Sequence, residues 1–344
     1  MTIAILGAGS VGCFIGGAWS HAGLPVRFVG REAIGTAIAA EGLTLTDYSG
    51  WRVRRNPEQV DYATSPKALA KADIIALCVK STGTAEAAKQ IARHGKNGAL
   101  VISFQNGVSN VDALRDVLKD RFEIAQAMVP FNVAYLGHGR FHKGVAGELV
   151  VQDIPRTRVL AQEVGGGPAA LRLADDMAAI AWGKLLINLN NAVNALSGRT
   201  LLEQLRERDY RRVVAASIVE ALDLLAAAGI EPAKIGPIAP KLLPHAIAAP
   251  NLIFNNLFLK IQKIDAKARS SMADDLRAGR TTEIDYLNGE VVRLAKRLKK
   301  RAPVNTAIVD LVKQAELGVE HLWSPEDLRA HVLQGHKVAP VFGY

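Results

Sequence analysis

The sequence predicts an α/β fold class: an N-terminal doubly wound parallel sheet followed by a C-terminal all-helical domain. Three observations carry this. A short β-favouring run at residues 2–6 passes directly into Gly7-Ala8-Gly9-Ser10-Val11-Gly12 and then into a helix-compatible stretch. Apolar strand runs and helical periods alternate through the first half of the chain. Near residue 174 the pattern changes, and helical periodicity dominates from there to Glu320. The two domains are therefore placed at residues 1–174 and 175–344. A chain of 344 residues is long enough to give each a core of its own.

The first element is the most informative. G-x-G-x-x-G between a strand and a helix is a dinucleotide-binding fingerprint in the context that it requires, so the N-terminal domain is expected to be Rossmann-type. Gly7 permits the tight turn, Gly9 lets the backbone approach a pyrophosphate, and Gly12 lets the helix pack close to the strand. Ala8, Ser10 and Val11 complete a loop whose helix N-terminus faces the phosphates with free N–H groups and a positive dipole end. The competing reading is a plain glycine-rich turn. Gly23 ends the first helix, and residues 25–29 read as the second strand. An NAD binder usually carries an acid at the tip of that strand, on the ribose diol. Here the tip is Gly30-Arg31-Glu32. A guanidinium suits a 2′-phosphate, so Arg31 points to NADPH rather than NADH. Otherwise Arg31 is solvated and Glu32 takes the ribose.

The following elements continue the alternation. Residues 73–79 form a nearly continuous apolar run, as expected of a parallel strand covered on both faces, and residues 99–104 repeat that character. Residues 84–94 between them read as a helix, and 124–129 as another strand. The glycine-rich stretch 137–147 reads as a hairpin followed by a strand at 148–152. Residues 165–168 are a loop, with a last short strand at 171–174. The site is expected outside the carboxyl ends of the strands.

Composition narrows the functional classes. Hydrophobic content of 49% with 22% charged residues is that of an ordinary globular protein. No apolar run approaches the ~20 residues that span a bilayer, so no membrane partner is expected. Met1 leads directly into the first strand, without the features of a signal peptide. Cys13 and Cys78 lack metal or redox spacing. Both are expected to be packing residues, no metal is expected, and a reducing cytoplasm is the natural setting. The net charge is +9, but basic residues are widely spread. The one dense run, 293–301, keeps a helical apolar spacing and reads as a solvated helix face and end. Nucleic acid is therefore not the expected partner; attraction of anionic substrate and cofactor is the simpler use of the charge.

Three segments carry candidate chemistry. In the expected helix 176–196, Lys184, Asn188 and Asn191 fall at i, i+4 and i+7 on one face of an otherwise apolar segment. Desolvation there would lower the lysine pKa and make it a better proton donor near neutrality. The alternative is a structural lysine paired to a carboxylate. The second segment follows the strand at 99–104. Asn106 stands where an active-site loop begins and could orient a carbonyl or the nicotinamide, although Asn-Gly is more often only a turn. Lys80 closes the preceding strand in the same way, as an anion contact or an ordinary exposed lysine. The third segment is 270–289. Ser271 with Asp274 looks like a capping box, Gly279 stops a short helix, and Thr281 or Thr282 caps the next. Ile284, Leu287, Val291, Leu294 and Leu298 step along that next helix by three and four, with Glu283 in its first turn.

Taken together, GAGSVG at 7–12, Gln-Asn-Gly after a strand, the Lys-Leu-x-x-Asn helix and SSMADDLRAGRTTEIDYLNG at 270–289 make the chain resemble the ketopantoate reductase (2-dehydropantoate 2-reductase) family. The matches occur in the family's order over most of the chain. The resemblance implies NADPH-dependent reduction of a 2-keto acid, ketopantoate to D-pantoate in pantothenate and coenzyme A synthesis. It implies Lys184 as general acid, Asn106 and Asn188 as its polar helpers, and Glu283 as partner of the substrate hydroxyl. Asn191 and Ser271 would help to hold substrate. Arg31 and Lys80 would contact cofactor phosphate or substrate anion, and Asn106 and Glu283 would also border the cofactor. Two positions depart from the family: Ala192 and Ala268 stand where members commonly carry asparagine. These motivate another branched 2-keto acid as the alternative substrate. Lys299 stands where many members have a turn glycine. A non-catalytic NADP-sensing protein is the reading from another class, and it would not need Lys184, Asn106 and Glu283 together. The helical half could bury a face in a homodimer or be satisfied as a monomer.

Overall fold

A computed structural model describes residues 1–259, 268–319 and 322–334. Its described residues divide into two compact units, within Met1–Met177 and Ala178–Tyr344. Glu320, where the helical pattern was expected to end, lies outside the described residues.

The first unit grows from strand β1 (Ile3–Leu6), which is buried along its whole length because both faces of the sheet are covered. The strands β2 (Val26–Val29), β5 (Asp61–Ala63), β6 (Ile74–Leu77), β7 (Leu100–Ser103), β8 (Glu123–Met128), β11 (Leu149–Gln152) and β12 (Leu171–Ala174) join it in the order β12-β11-β8-β7-β6-β1-β2-β5. All neighbours run parallel except β8 and β11. The expected all-parallel sheet is thus a mostly parallel one. Its antiparallel joint arises because the chain leaves β8 through a hairpin rather than a crossover helix. Helices α1 (Ser10–His21), α2 (Glu32–Glu41), α3 (Thr84–His94), α4 (Asn110–Leu118) and α5 (Pro155–Val164) accompany the strands. Gly23, just past α1, has φ +96°, the left-handed conformation that a helix-ending glycine supplies.

The hairpin lies slightly earlier than its glycines suggest. β9 (Val133–Tyr135) and β10 (Arg140–Lys143) pair antiparallel across a turn at residues 136–139, and residues 144–147 lead on to β11. The hairpin extends a second sheet in the order β4-β3-β10-β9, with β3 (Leu43–Asp47) and β4 (Arg52–Arg55). These two strands went unread in the sequence pattern, although Leu43-Thr44-Leu45-Thr46 alternates with the period of a half-covered strand. Their inward Leu43, Leu45 and Val53, with Phe141 of β10, join the core that packs against α1. Cys13 is fully buried in that core and Cys78 half-buried at its margin; burial pushes both thiols well above their usual range, as fits packing residues.

The second unit is helical throughout its described elements. It contains α6 (Met177–Asn188), α7 (Asn190–Ser197), α8 (Leu201–Arg206), α9 (Arg208–Ala227), α10 (Leu243–Ala248) and α11 (Asn251–Ile253). After these come α12 (Ser271–Arg277), α13 (Asn288–Arg297), α14 (Pro303–Glu316) and α15 (Pro325–Leu333). The long α9 packs against α10, α13, α14 and α15 and supplies much of the core. Its fully buried Arg211 donates to the carbonyls of Ile247 and Ala249 and to the Asn251 side chain, and lies 4.1 Å over the Phe254 ring. These oxygens at the end of α10 compensate the buried cation, whose pKa burial still pushes down to about 10. No described helix is long and apolar enough to cross a membrane.

Two local expectations change. The single helix expected at 176–196 is two, α6 and α7, interrupted at Leu189. Asn190 and Asn191 stand at this joint. The dihedrals of Leu189 stay helical and its N–H still reaches the Leu185 carbonyl at 3.0 Å. The helix expected from Ile284 onward begins instead as a 3₁₀ turn, Ile284–Tyr286, and becomes α-helical only at Asn288. The basic run behaves as a helix end: Lys296, Arg297, Lys299, Lys300 and Arg301 are exposed while Leu294 and Ala295 are buried.

Just past α13, Lys299 adopts φ +55°, the conformation that a turn glycine would take freely. A left-handed residue with a Cβ costs about 1–2 kcal/mol, part of which glycine gives back as unfolded-chain entropy. Lys299→Gly is expected to stabilise the protein by up to ~1 kcal/mol in urea denaturation. A lowered midpoint would show that the lysine side chain contributes more than its backbone costs.

Candidate active site

In the first unit the glycine loop is shaped by contact on one side and open space on the other. A Cβ at Gly7, whose φ is +95°, would come within 2.5 Å of the Val79 nitrogen. One at Gly12 would come within 2.4 Å of the Gly7 carbonyl. A Cβ at Gly9 would meet nothing within 4 Å. Gly7 and Gly12 are therefore demanded by packing, and Gly9 faces free space at the mouth of α1. No side chain caps α1, and Gly9 is its N-cap. Ser10 and Val11 are half-buried in its first turn, and Ala8 is buried beneath them. Glycine backbone, uncapped helix end and open approach together fit a dinucleotide pyrophosphate.

At the tip of β2, Gly30 is required because the Tyr62 hydroxyl lies 2.4 Å from where its Cβ would stand. That hydroxyl donates to the Arg31 carbonyl at 2.9 Å, fixing the backbone at the start of α2. Arg31 is the N-cap residue, and both Arg31 and Glu32 are exposed. Among the described residues the Arg31 guanidinium forms no ion pair. The arrangement leaves a cation available beside the nucleotide loop, with Glu32 in the first turn, where the helix dipole accommodates a carboxylate.

Lys80 and Asn106 close β6 and β7 and belong to one buried polar network. The Asn106 carbonyl accepts from Ser81 Oγ at 2.9 Å and from Asn110 Nδ2. Thr84 Oγ1 bridges the Ser81 carbonyl and Asn110 Oδ1, and Gln105 Nε2 donates to Thr84 Oγ1 at 2.7 Å. Gln105 also reaches the Lys80 carbonyl and accepts from Ser103 Oγ. Gly107 takes φ +90°, so Asn106-Gly107 is a turn. The network holds that turn against the Lys80 loop and leaves the Asn106 side chain half-buried and that of Lys80 exposed. Thr84 and Asn110 were missed in the sequence. The signal for them was the number of small polar residues after an apolar strand, more than one turn can employ.

The second unit carries the candidate acid–base pair. Lys184 lies in the last half of α6, and desolvation pushes its pKa down to about 8, against the opposing pull of the Glu283 carboxylate. The residue as a whole keeps part of its surface accessible. Glu283 is buried, just before the 3₁₀ turn. Asn188 ends α6 one turn beyond Lys184 and is half-buried, as is Asn191 in the first turn of α7. The helical dihedrals at Leu189 carry the face across the break.

The serine pair differs from expectation. Ser270, not Ser271, caps α12: its Oγ accepts from the Ala273 N–H at 3.2 Å and donates to the Asn191 carbonyl at 3.0 Å. Ser271 is exposed as the first helical residue. Asn194, fully buried on α7, accepts from the Ser270 N–H at 2.9 Å and donates to the Arg199 carbonyl. These contacts tie the Ser270–Ser271 corner to the asparagine helix. Ala192 is fully buried and Ala268 half-buried, its carbonyl held by the Leu201 N–H at 2.8 Å. Thr282 does not cap a helix; its hydroxyl accepts from the Ile284 N–H within the turn that carries Glu283. Among the described residues no group of three or more His, Cys, Asp or Glu side chains could hold a metal ion.

Comparison with known proteins agrees with both halves. The family described as "Ketopantoate reductase PanE/ApbA" matches residues 3–156, and its C-terminal part matches residues 176–316. A 2-dehydropantoate 2-reductase of Pyrococcus abyssi is 28% identical over 92% of this chain and 98% of that protein. One of Halobacterium salinarum is 26% identical over 92% of this chain and 99% of its own length. Among solved structures, a PanE/ApbA family ketopantoate reductase from Ralstonia eutropha superposes with TM-score 0.79 and 30% identity, covering 93% of this chain and all of that one. A D-mandelate dehydrogenase solved with NADH and anilino(oxo)acetate shares the fold with TM-score 0.75 at 19% identity, over 92% of this chain and 99% of that one. A mostly parallel sheet with a nucleotide-type glycine loop, a separate helical unit bearing a desolvated lysine, and family matches across both make this chain a member of the ketopantoate reductase family of NAD(P)-dependent oxidoreductases.

Proposed function

We propose that the protein reduces 2-dehydropantoate (ketopantoate) to D-pantoate with NADPH, in the cytoplasm, on the route to pantothenate and coenzyme A. The observation that carries the proposal is the Lys184–Glu283 pair, an ammonium brought to a pKa of about 8 beside a buried carboxylate. The nicotinamide, when bound, supplies hydride to C2 of the keto acid. Lys184 gives its Nζ proton to the oxygen that becomes an alkoxide; a donor whose pKa lies near neutrality does this with little thermodynamic mismatch. Glu283 keeps the ammonium charged and accepts a hydrogen bond from the substrate hydroxyl. Asn188, Asn191 and Ser271 orient the substrate through their amides and hydroxyl, and Asn106 orients the carbonyl or the nicotinamide side. The loop Gly7–Gly12 with Arg31 and Lys80 holds the cofactor phosphates, and Asn106 and Glu283 also border it. The proposed division of labour is a cofactor domain at residues 1–174 and a substrate and catalytic domain at 175–344.

A second reading keeps this chemistry and changes the keto acid. Ala192 and Ala268 favour it, because neither methyl group can donate or accept a hydrogen bond, and removing a buried amide grip weakens selection for a hydroxylated substrate. A panel of 2-keto acids assayed with NADPH separates the two. Ketopantoate is expected to give the highest kcat/KM. A bulkier 2-oxo acid exceeding it tenfold or more would replace the pathway assignment and leave the reaction type standing.

A further inference from the structure

Glu283 does not sit in a regular helix that would aim it. It precedes a three-residue 3₁₀ turn, and its direction depends on what grips that turn. The grip comes from α14, on both sides of the residue. On one side Glu316 Oε1 accepts from the Thr282 N–H at 2.7 Å. On the other, Lys313 Nζ pairs with Asp285 Oδ1 at 2.8 Å, and Arg293 of α13 donates to the Asp285 carbonyl. Residues 282 and 285 are therefore pinned and Glu283 lies between them. The arm is itself anchored at its far end: Glu220 of α9 accepts from the Val304 and Asn305 N–H groups at 3.0 and 2.9 Å. Asn305 also accepts from Asn288, the first residue of α13.

The placement of Glu316 is informative in its own right. It is the last residue of α14, where the negative end of the helix dipole disfavours a carboxylate. Helix stability does not explain it, whereas the buried Thr282 N–H that it satisfies does. We infer that Glu316, assisted by Lys313, is a positioning residue that holds the Glu283 carboxylate against Lys184 and so sets the lysine's protonation. The inference rests on the proposed Lys184–Glu283 acid–base pair.

The charges facing Lys184 dictate the sign of the effect. Desolvation lowers the lysine pKa and the Glu283 carboxylate raises it. Loosening Glu283 removes part of the raising influence, so the pKa must fall further. The Lys184 ammonium is titrated by NMR of ¹⁵N-lysine-labelled, cofactor-free protein, with Lys184→Arg used to assign the signal. Glu283→Gln is expected to lower the pKa by about one unit, and Glu316→Ala to lower it by roughly half as much. Glu316→Gln keeps an oxygen acceptor for the Thr282 N–H and is expected to restore most of the wild-type value. Lys313→Ala, at a half-exposed pair, shifts it in the same direction by less. Far-UV circular dichroism verifies that each variant is folded; should Glu316→Ala not fold, Glu316→Gln and Lys313→Ala decide. In the reductase assay the alkaline limb of kcat follows the same order, with KM for NADPH unchanged in the Glu316 and Lys313 variants. If Glu283→Gln moves the lysine pKa and folded Glu316→Ala does not, the positioning role is overturned. If Glu283→Gln itself leaves the pKa in place, the pair beneath the inference is overturned instead.

Discussion

Lys184→Ala is expected to lower kcat by about three orders of magnitude, within the range that a positioned general acid contributes, with NADPH affinity unchanged. The alkoxide formed by hydride addition is strongly basic, and without the ammonium only water can protonate it. Because the glycine loop, Arg31 and Lys80 lie in the first unit and are not disturbed, fluorescence titration with NADPH should give the wild-type dissociation constant. The pH profile supplies the second half of the test. Burial holds the lysine pKa at about 8, so the required protonated form is complete well below that value and is lost above it. Wild-type kcat for the reduction should be flat on the acid side and fall tenfold per unit on the alkaline side. Near-wild-type turnover in Lys184→Ala would remove this residue from the chemistry.

Arg31→Ala should weaken NADPH binding roughly thirtyfold and leave NADH binding within about twofold, because a charge-assisted guanidinium–phosphate contact contributes on the order of 2 kcal/mol and NADH has no phosphate there. The backbone of Arg31 is held by Tyr62, so truncating the side chain removes the charge without releasing the loop. The wild-type enzyme is expected to prefer NADPH by at least tenfold in kcat/KM, a preference that shrinks with salt because the guanidinium is exposed. Equal losses for the two cofactors would mean that Arg31 does not read the 2′-phosphate and that Glu32 or a backbone group makes the choice.

The candidate residues of the two units differed in how far sequence could describe them. The glycine motif is local in sequence. Gly7, Gly9 and Gly12 lie within six consecutive residues, and the steric demand on Gly12 comes first from Gly7 and Ile5 of the same turn and strand, whereas that on Gly7 comes from Cys78 and Val79 just past β6. Lys184 and Asn188 are likewise one helical turn apart, so any helix puts them on one face. The network around Asn106 was only half legible. Ser103, Gln105, Asn106 and Asn110 lie close together in sequence, but Ser81 and Thr84 arrive from the neighbouring strand end, and only the pairing of β6 with β7 brings them together.

The sequence by itself determined the fold class, the glycine loop, the helical character of the second half and the identity of the family. All of these rest on short-range periodicity, turn chemistry or motifs, whose physics is complete within a few residues. Tertiary structure decided the rest. It placed β11 antiparallel to β8, recruited β3 and β4 into a second sheet, and made Ser270 rather than Ser271 the cap of α12. It gave Asn194 to a buried tie with Ser270, and it set Glu316 under the turn of Glu283, 33 residues away. Each of these is a hydrogen bond or strand pairing between distant segments. Their partners are chosen by which polar groups become buried together, and no local pattern records that choice.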